Sequence, residues 1–149
     1  MLGRKLKNEI NLISIKNILK KGGRVMPATL DDLKKYEEAA HALCFGVFSI
    51  LRNIEYIEKD FPLLDDEQQK KFSREYVYYR IFLVDYKTYC YLGQTEEKSF
   101  RLAAFYDEVE RIFNREDTKA LMSFDTAEMR QRIDLYANLY RNAGFDDSK

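Results

Sequence analysis

The chain has 149 residues, 46% of them hydrophobic, and 25 basic residues balance 25 acidic ones. That length makes one domain, able to bury roughly 70% of its unfolded surface without help from disulfides or metals. A net charge of zero gives no bulk attraction to nucleic acid, and no apolar run is long enough to span a membrane.

Charge is unevenly placed. Residues 1–25 carry seven bases (Arg4, Lys5, Lys7, Lys16, Lys20, Lys21 and Arg24) against Glu9 alone, hence +6, so the remainder carries −6. Such a leader suits targeting, a membrane surface or an arm for nucleic acid. Its helical wheel weakens all three. Leu6, Ile10 and Ile13 fall on one side, while Leu12, Ile15, Ile18 and Leu19 fall on another with lysines between, so no clean apolar face meets a bilayer. The segment also lacks the continuous apolar region of a secretory signal.

Lys21-Gly22-Gly23 can be encoded by a purine-rich run just before Met26, where a bacterial ribosome-binding site would stand. We hypothesise that translation begins at Met26, in a bacterium or phage, which makes 1–25 a leader that is disordered or absent from the native product. Intact mass of the natively expressed protein tests this, and a species beginning at Met1 removes the idea.

A long helix is expected from Leu30 to Asp60, capped by Thr29 or Asp31. Leu33, Tyr36, Ala40, Leu43, Cys44, Val47, Leu51 and Ile54 recur at i+3 and i+4, the mark of an amphipathic helix. Gly46 lies inside it at a cost of about 1 kcal/mol relative to alanine, and close helix packing is the expected reason, with a ligand gap as the alternative. Phe61-Pro62 stops the helix, because proline disfavours helix in the residue before it.

The central helix follows, from Asp66 to Leu92. Between Phe72 and Leu92 it is apolar on every side and carries six of the eleven tyrosines, so it is expected at the buried centre of a bundle. Asp65, Asp66 and Glu67 suit the positive end of its dipole, and Gly93 suits its C-cap. Thr95 caps a helix from Glu96 to Asn114, with Leu102, Phe105, Tyr106, Val109, Ile112 and Phe113 inward. Asp117 or Thr118 opens a short turn of helix through Met122. Asp125 or Thr126 caps a last helix to Asn142, with Met129, Ile133, Tyr136 and Tyr140 inward. Gly144 ends it, and 146–149 are expected to fray.

The expected architecture is all-α: an antiparallel bundle of four main helices in one domain, 26–145. One short connecting helix and an additional N-terminal helix are expected beside them. Cys44 and Cys90 read as reduced core thiols of a cytoplasmic protein.

No motif demands a chemistry, so catalysis is not the expected class, and no cofactor is implied. Glu38-Ala39-Ala40-His41 matches the Glu-x-x-His element of di-iron bundles. Those sites need a second histidine, and His41 stands alone in the sequence. Zinc on His41, Cys44 and Cys90 would lack a fourth ligand. No Gly-x-Ser-x-Gly elbow and no phosphate-binding glycine loop is present.

Two groups of residues remain. Glu38, His41, Phe45, Arg52 and Tyr56 form an outer stripe on the long helix, with the aromatics and arginine of interface anchors. Residues 5–20 covering that stripe is the competing reading. Tyr78, Arg80, Asp85 and Tyr89 on the central helix offer a polar end to a tyrosine-lined pocket, or polar groups that fix the packing. The expected function is therefore a small protein-interaction or regulatory module with an unknown protein partner or with itself. The alternatives are a small-molecule-binding or enzymatic bundle, and nucleic-acid binding through the leader, which the net charge disfavours.

Overall fold

The computed structural model describes residues 29–52, 59 and 62–144. The basic leader, the Met26 start, an N-terminal helix, Tyr56, Phe61 and the 146–149 tail lie outside the described residues. Within them the chain is a helical bundle of α1 (Leu30–Val47), α2 (Ser49–Arg52), α3 (Asp66–Leu92), α4 (Glu96–Phe113), α5 (Glu116–Leu121) and α6 (Thr126–Asn142).

Local chemistry starts each long helix. Thr29 Oγ1 accepts from the Asp32 N–H at 3.2 Å, and Asp32 returns the bond to the Thr29 N–H at 3.3 Å. Asp65 and Gln68 make the same reciprocal box at 2.8 and 3.0 Å. Each box satisfies two donors that a helix end leaves orphaned. Thr95 accepts from the Lys98 N–H at 3.2 Å. Asp125 accepts from the N–H groups of Ala127 and Glu128 at 2.7 and 3.1 Å. Gly93 takes a φ of 60° just past Leu92, a conformation that costs a residue with a Cβ.

The expected 30–60 helix is interrupted. Phe48 leaves helical geometry at φ −90°, ψ 10°, separating α1 from α2. Its ring is buried edge-on against Phe113 and Phe124, with centroids 5.9 and 5.8 Å away, and tertiary packing of a large aromatic outweighs helix propensity here. The short α5 also differs from expectation. It opens at Glu116 behind an Arg115 N-cap without a side-chain cap bond, while Asp117 lies inside it and pairs with Arg115 at 2.6 Å.

α1 lies along α4, and α3 packs on both α4 and α6, whereas α1 and α3 touch thinly. The core runs through Ala40, Cys44, Val47, Val77, Tyr78, Ile81, Phe105, Val109, Phe113 and Met129. A second aromatic cluster joins α3 to α6: Tyr140 meets Phe82 at 4.9 Å and Tyr86 at 5.1 Å, and Tyr136 meets Tyr79 at 5.2 Å. The Tyr79 and Tyr140 hydroxyls share a 2.6 Å hydrogen bond.

α3 is not buried on every side. Ser73, Val77, Tyr78, Ile81 and Phe82 are enclosed, but Phe72, Tyr76, Tyr91 and Cys90 are exposed. The physical reason is the number of neighbours. α4 and α6 cover two sides, and α1 touches α3 less than either does; Cys90 is exposed and is not a core thiol.

Candidate functional site

The outer stripe of α1 forms a defined surface. Phe45 is 67% exposed. The Arg52 guanidinium lies 3.7 Å from the centre of its ring, and the same group donates to the Phe45 carbonyl at 2.7 Å. The two residues lie seven positions apart, on either side of the break at Phe48. A stacked and hydrogen-bonded arginine loses little further freedom on binding. Glu38 is exposed on the same stripe. His41 is 60% exposed, yet its Nδ1 lies 2.8 Å from Glu108 on α4.

Glu108 holds this flank together. Its side chain is only 10% exposed and accepts two bonds from Arg111, at 2.5 and 2.8 Å. Burial alone would push the carboxyl up, but the Arg111 bonds and charge, with His41 adding to them, hold it below the usual glutamate range. Cys44 sits behind the pair. Burial first, and then the Glu108 charge, pushes its thiol up to about 12. A thiol that stays protonated at neutral pH is a poor nucleophile, so nearby Cys44, His41 and Glu108 form no catalytic triad. Among the described residues no group of three or more His, Cys, Asp or Glu is placed to hold a metal ion.

The four central-helix candidates do not converge on one cavity. Tyr78 is 0% exposed and bonds to α6. Asp85 accepts from Tyr106 of α4 at 2.5 Å, a partner in a distant part of the chain. The Tyr89 ring instead carries the Lys98 ammonium at 4.9 Å. Arg80 lies about 140–180° around the helix from these three, at 3.6 residues per turn.

Arg80 belongs to a feature that sequence reasoning did not find. A groove of about 510 Å³ runs between α1 and α3. Its floor is apolar, with Leu43, Val47, Leu83, Val84 and Leu92, and Tyr91 stands at its rim, 87% exposed. Three bases line it, Arg80, Lys87 and Arg101, and no acid does. A Cβ added at Gly46 would meet only the Arg80 Nη2, at 4.0 Å. Close packing of another helix therefore does not explain this glycine, whose missing side chain widens the groove. The available signal was Gly46 together with Arg80 and Lys87, which share one side of α3.

No protein family matches the chain, and neither does any curated protein or solved structure. No helix among the described residues is long and apolar enough to cross a membrane.

Proposed function

We propose that the chain is a small cytoplasmic protein-interaction or regulatory module that docks a protein, either another chain or a second copy of itself, through the outer face of α1. The observation that carries the reading is the Phe45–Arg52 pair. A large exposed ring is held against a guanidinium that is already fixed by the Phe45 carbonyl. Aromatic and arginine side chains dominate interface energetics, more so when they are ordered before binding. Glu38 and His41 are exposed polar groups on the same helix.

Phe45→Glu tests this. Because Phe45 is exposed, the substitution should change folding stability by less than about 0.5 kcal/mol. It should weaken association by roughly 30-fold or more, the effect of losing a hot spot worth about 2 kcal/mol. The measurements are sedimentation velocity for self-association and photo-crosslinking from position 38 in cells for a second protein. A complex present in the wild type and lost in Phe45→Glu supports the reading. Identical sedimentation and identical crosslinks for the two forms would overturn it.

The nucleic-acid alternative depends on residues 1–25 and lies outside the described residues. The small-molecule alternative draws support from the groove rather than from the tyrosine-lined interior.

A further inference from the structure

We propose that the groove between α1 and α3 binds a free anionic amphiphile, of which a single-chain carboxylate is the simplest form. The tail lies over Leu43, Val47 and Leu83, and the head meets Arg80 and Lys87. This site is distinct from the Phe45 face, since Phe45 does not line the groove.

Charge selects the occupant. Arg80 is half-buried, with its guanidinium beside the open space at Gly46. Neither Arg80 nor Lys87 forms an ion pair with any described residue, whereas Arg101, the third base, is paired with Glu97 at 2.9 Å. A cation partly withdrawn from water gains from an anion brought to it. With no carboxylate in the lining, that anion has to come from the ligand. Residues 1–25 carry +6, the same sign as the rim, so they are a poor match for it.

Size and shape select further. The volume of about 510 Å³ falls in the range of small-molecule sites, roughly 300–1,000 Å³. Arg80 to Leu92 runs about 18 Å along a helix at 1.5 Å per residue, the reach of a medium-length acyl chain. A smaller pocket of about 80 Å³ lies beside the groove and shares Leu43, Val84, Thr88 and Arg101 with it. Twelve residues line the groove, fewer than the roughly 20–30 per side of a stable protein interface. An apolar floor bordered by a few charged groups suits an amphiphile better than a soluble anion, which would leave the floor wet.

The test is calorimetric titration of the full chain with monomeric dodecanoate, below its micelle concentration. Acetate, dodecyltrimethylammonium and anionic phospholipid vesicles serve as comparison probes. Saturable one-to-one binding of dodecanoate is expected, with none of acetate or of the cationic amphiphile. Arg80→Gln and Lys87→Gln should each weaken binding about tenfold, the loss of one charge-assisted contact. Gly46→Leu should abolish binding by filling the space. Lys87 is exposed, so Lys87→Gln keeps the fold even where Arg80→Gln does not. Phe45→Glu should bind dodecanoate like the wild type, which separates this site from the docking face. Equal binding of the anionic and cationic chains, unchanged affinity in Lys87→Gln, or no binding to the wild type would overturn the proposal. Binding to vesicles without binding to monomeric dodecanoate would assign the bases to a membrane surface and overturn it equally.

Discussion

Tyr78→Ala is expected to lower the free energy of unfolding by about 3–5 kcal/mol, whereas Tyr78→Phe should cost only about 1 kcal/mol. The ring is fully enclosed and meets Phe113 and Phe124 at 6.4 and 6.0 Å. Those two rings stack on each other at 4.7 Å, so truncation removes a wall of the central aromatic cluster and leaves a cavity that rigid neighbours fill only partly. The hydroxyl acts differently. It donates to Glu128 at 3.0 Å and accepts from the Asp125 N–H at 3.1 Å, tying α3 to the first turn of α6. Phenylalanine keeps the packing and loses only this tether. Since a domain is stable by about 5–15 kcal/mol in all, the alanine variant stands near the edge of folding and the phenylalanine variant does not. Urea denaturation of the three proteins measures both steps. Equal costs for the two variants would place the whole contribution in the hydroxyl and refute the packing argument.

Features set by near neighbours in sequence were legible. Thr95 caps its helix as its spacing indicates, and Thr29 and Asp125 take the cap where Asp31 and Thr126 were the alternatives, because a cap is a bond between residues two or three apart. The inward faces of α4 and α6 follow from the same helical period. What escaped depends on distant partners. Phe48 sits in an unbroken i+3/i+4 pattern, and only Phe113 and Phe124, more than sixty residues on, make its ring worth a break in the helix. Periodicity places Asp85 only relative to its own helix, and register across the bundle brings the Tyr106 hydroxyl to it. The apolar girth of α3 implied burial all round, yet periodicity does not count neighbours. Where α1 touches α3 only thinly, Leu83, Lys87 and Tyr91 line an open groove. Gly46 has the same lesson in reverse. A mid-helix glycine marks either a close approach or a space, and nothing within one helix distinguishes the two. Phe45 and Arg52 share a stripe in the sequence, but the stacking of the guanidinium on the ring and its bond to the Phe45 carbonyl are visible only in the structure.

Raising the pH through the tyrosine range should unfold the protein cooperatively between about pH 10 and pH 12. Burial, with the Glu128 hydrogen bond and charge adding to it, pushes the Tyr78 hydroxyl from the ordinary value of 10.0 up to about 12. The hydrogen bond shared with Tyr79, and then burial, pushes Tyr140 up to about 12 as well. Tyr106 and Tyr136 are also raised, by burial first and then by the carboxylates of Asp85 and Glu75. A phenol is neutral when protonated. A folded-state value above the unfolded one therefore means that the native state holds more protons between the two values. Stability is then fully present below pH 10 and is lost as pH rises through the folded values. The raised value at enclosed Tyr78 corresponds to a few kcal/mol. Tyr140 is partly exposed and contributes less after solvent screening. Together the four groups withdraw several kcal/mol, comparable with the total stability of a domain. The carboxylate pairs of the described residues, apart from His41–Glu108, all use arginine, which keeps its charge over this range, so the loss belongs mainly to the phenols. Tyrosinate absorbance and helical circular dichroism, followed together, should change in one shared step. Tyr106→Phe should be less stable at neutral pH but lose stability less steeply above pH 10, because one of the raised groups is gone. Titration of these phenols at their ordinary value with the helical signal intact to pH 12 would contradict the burial and bonding from which the shifts arise.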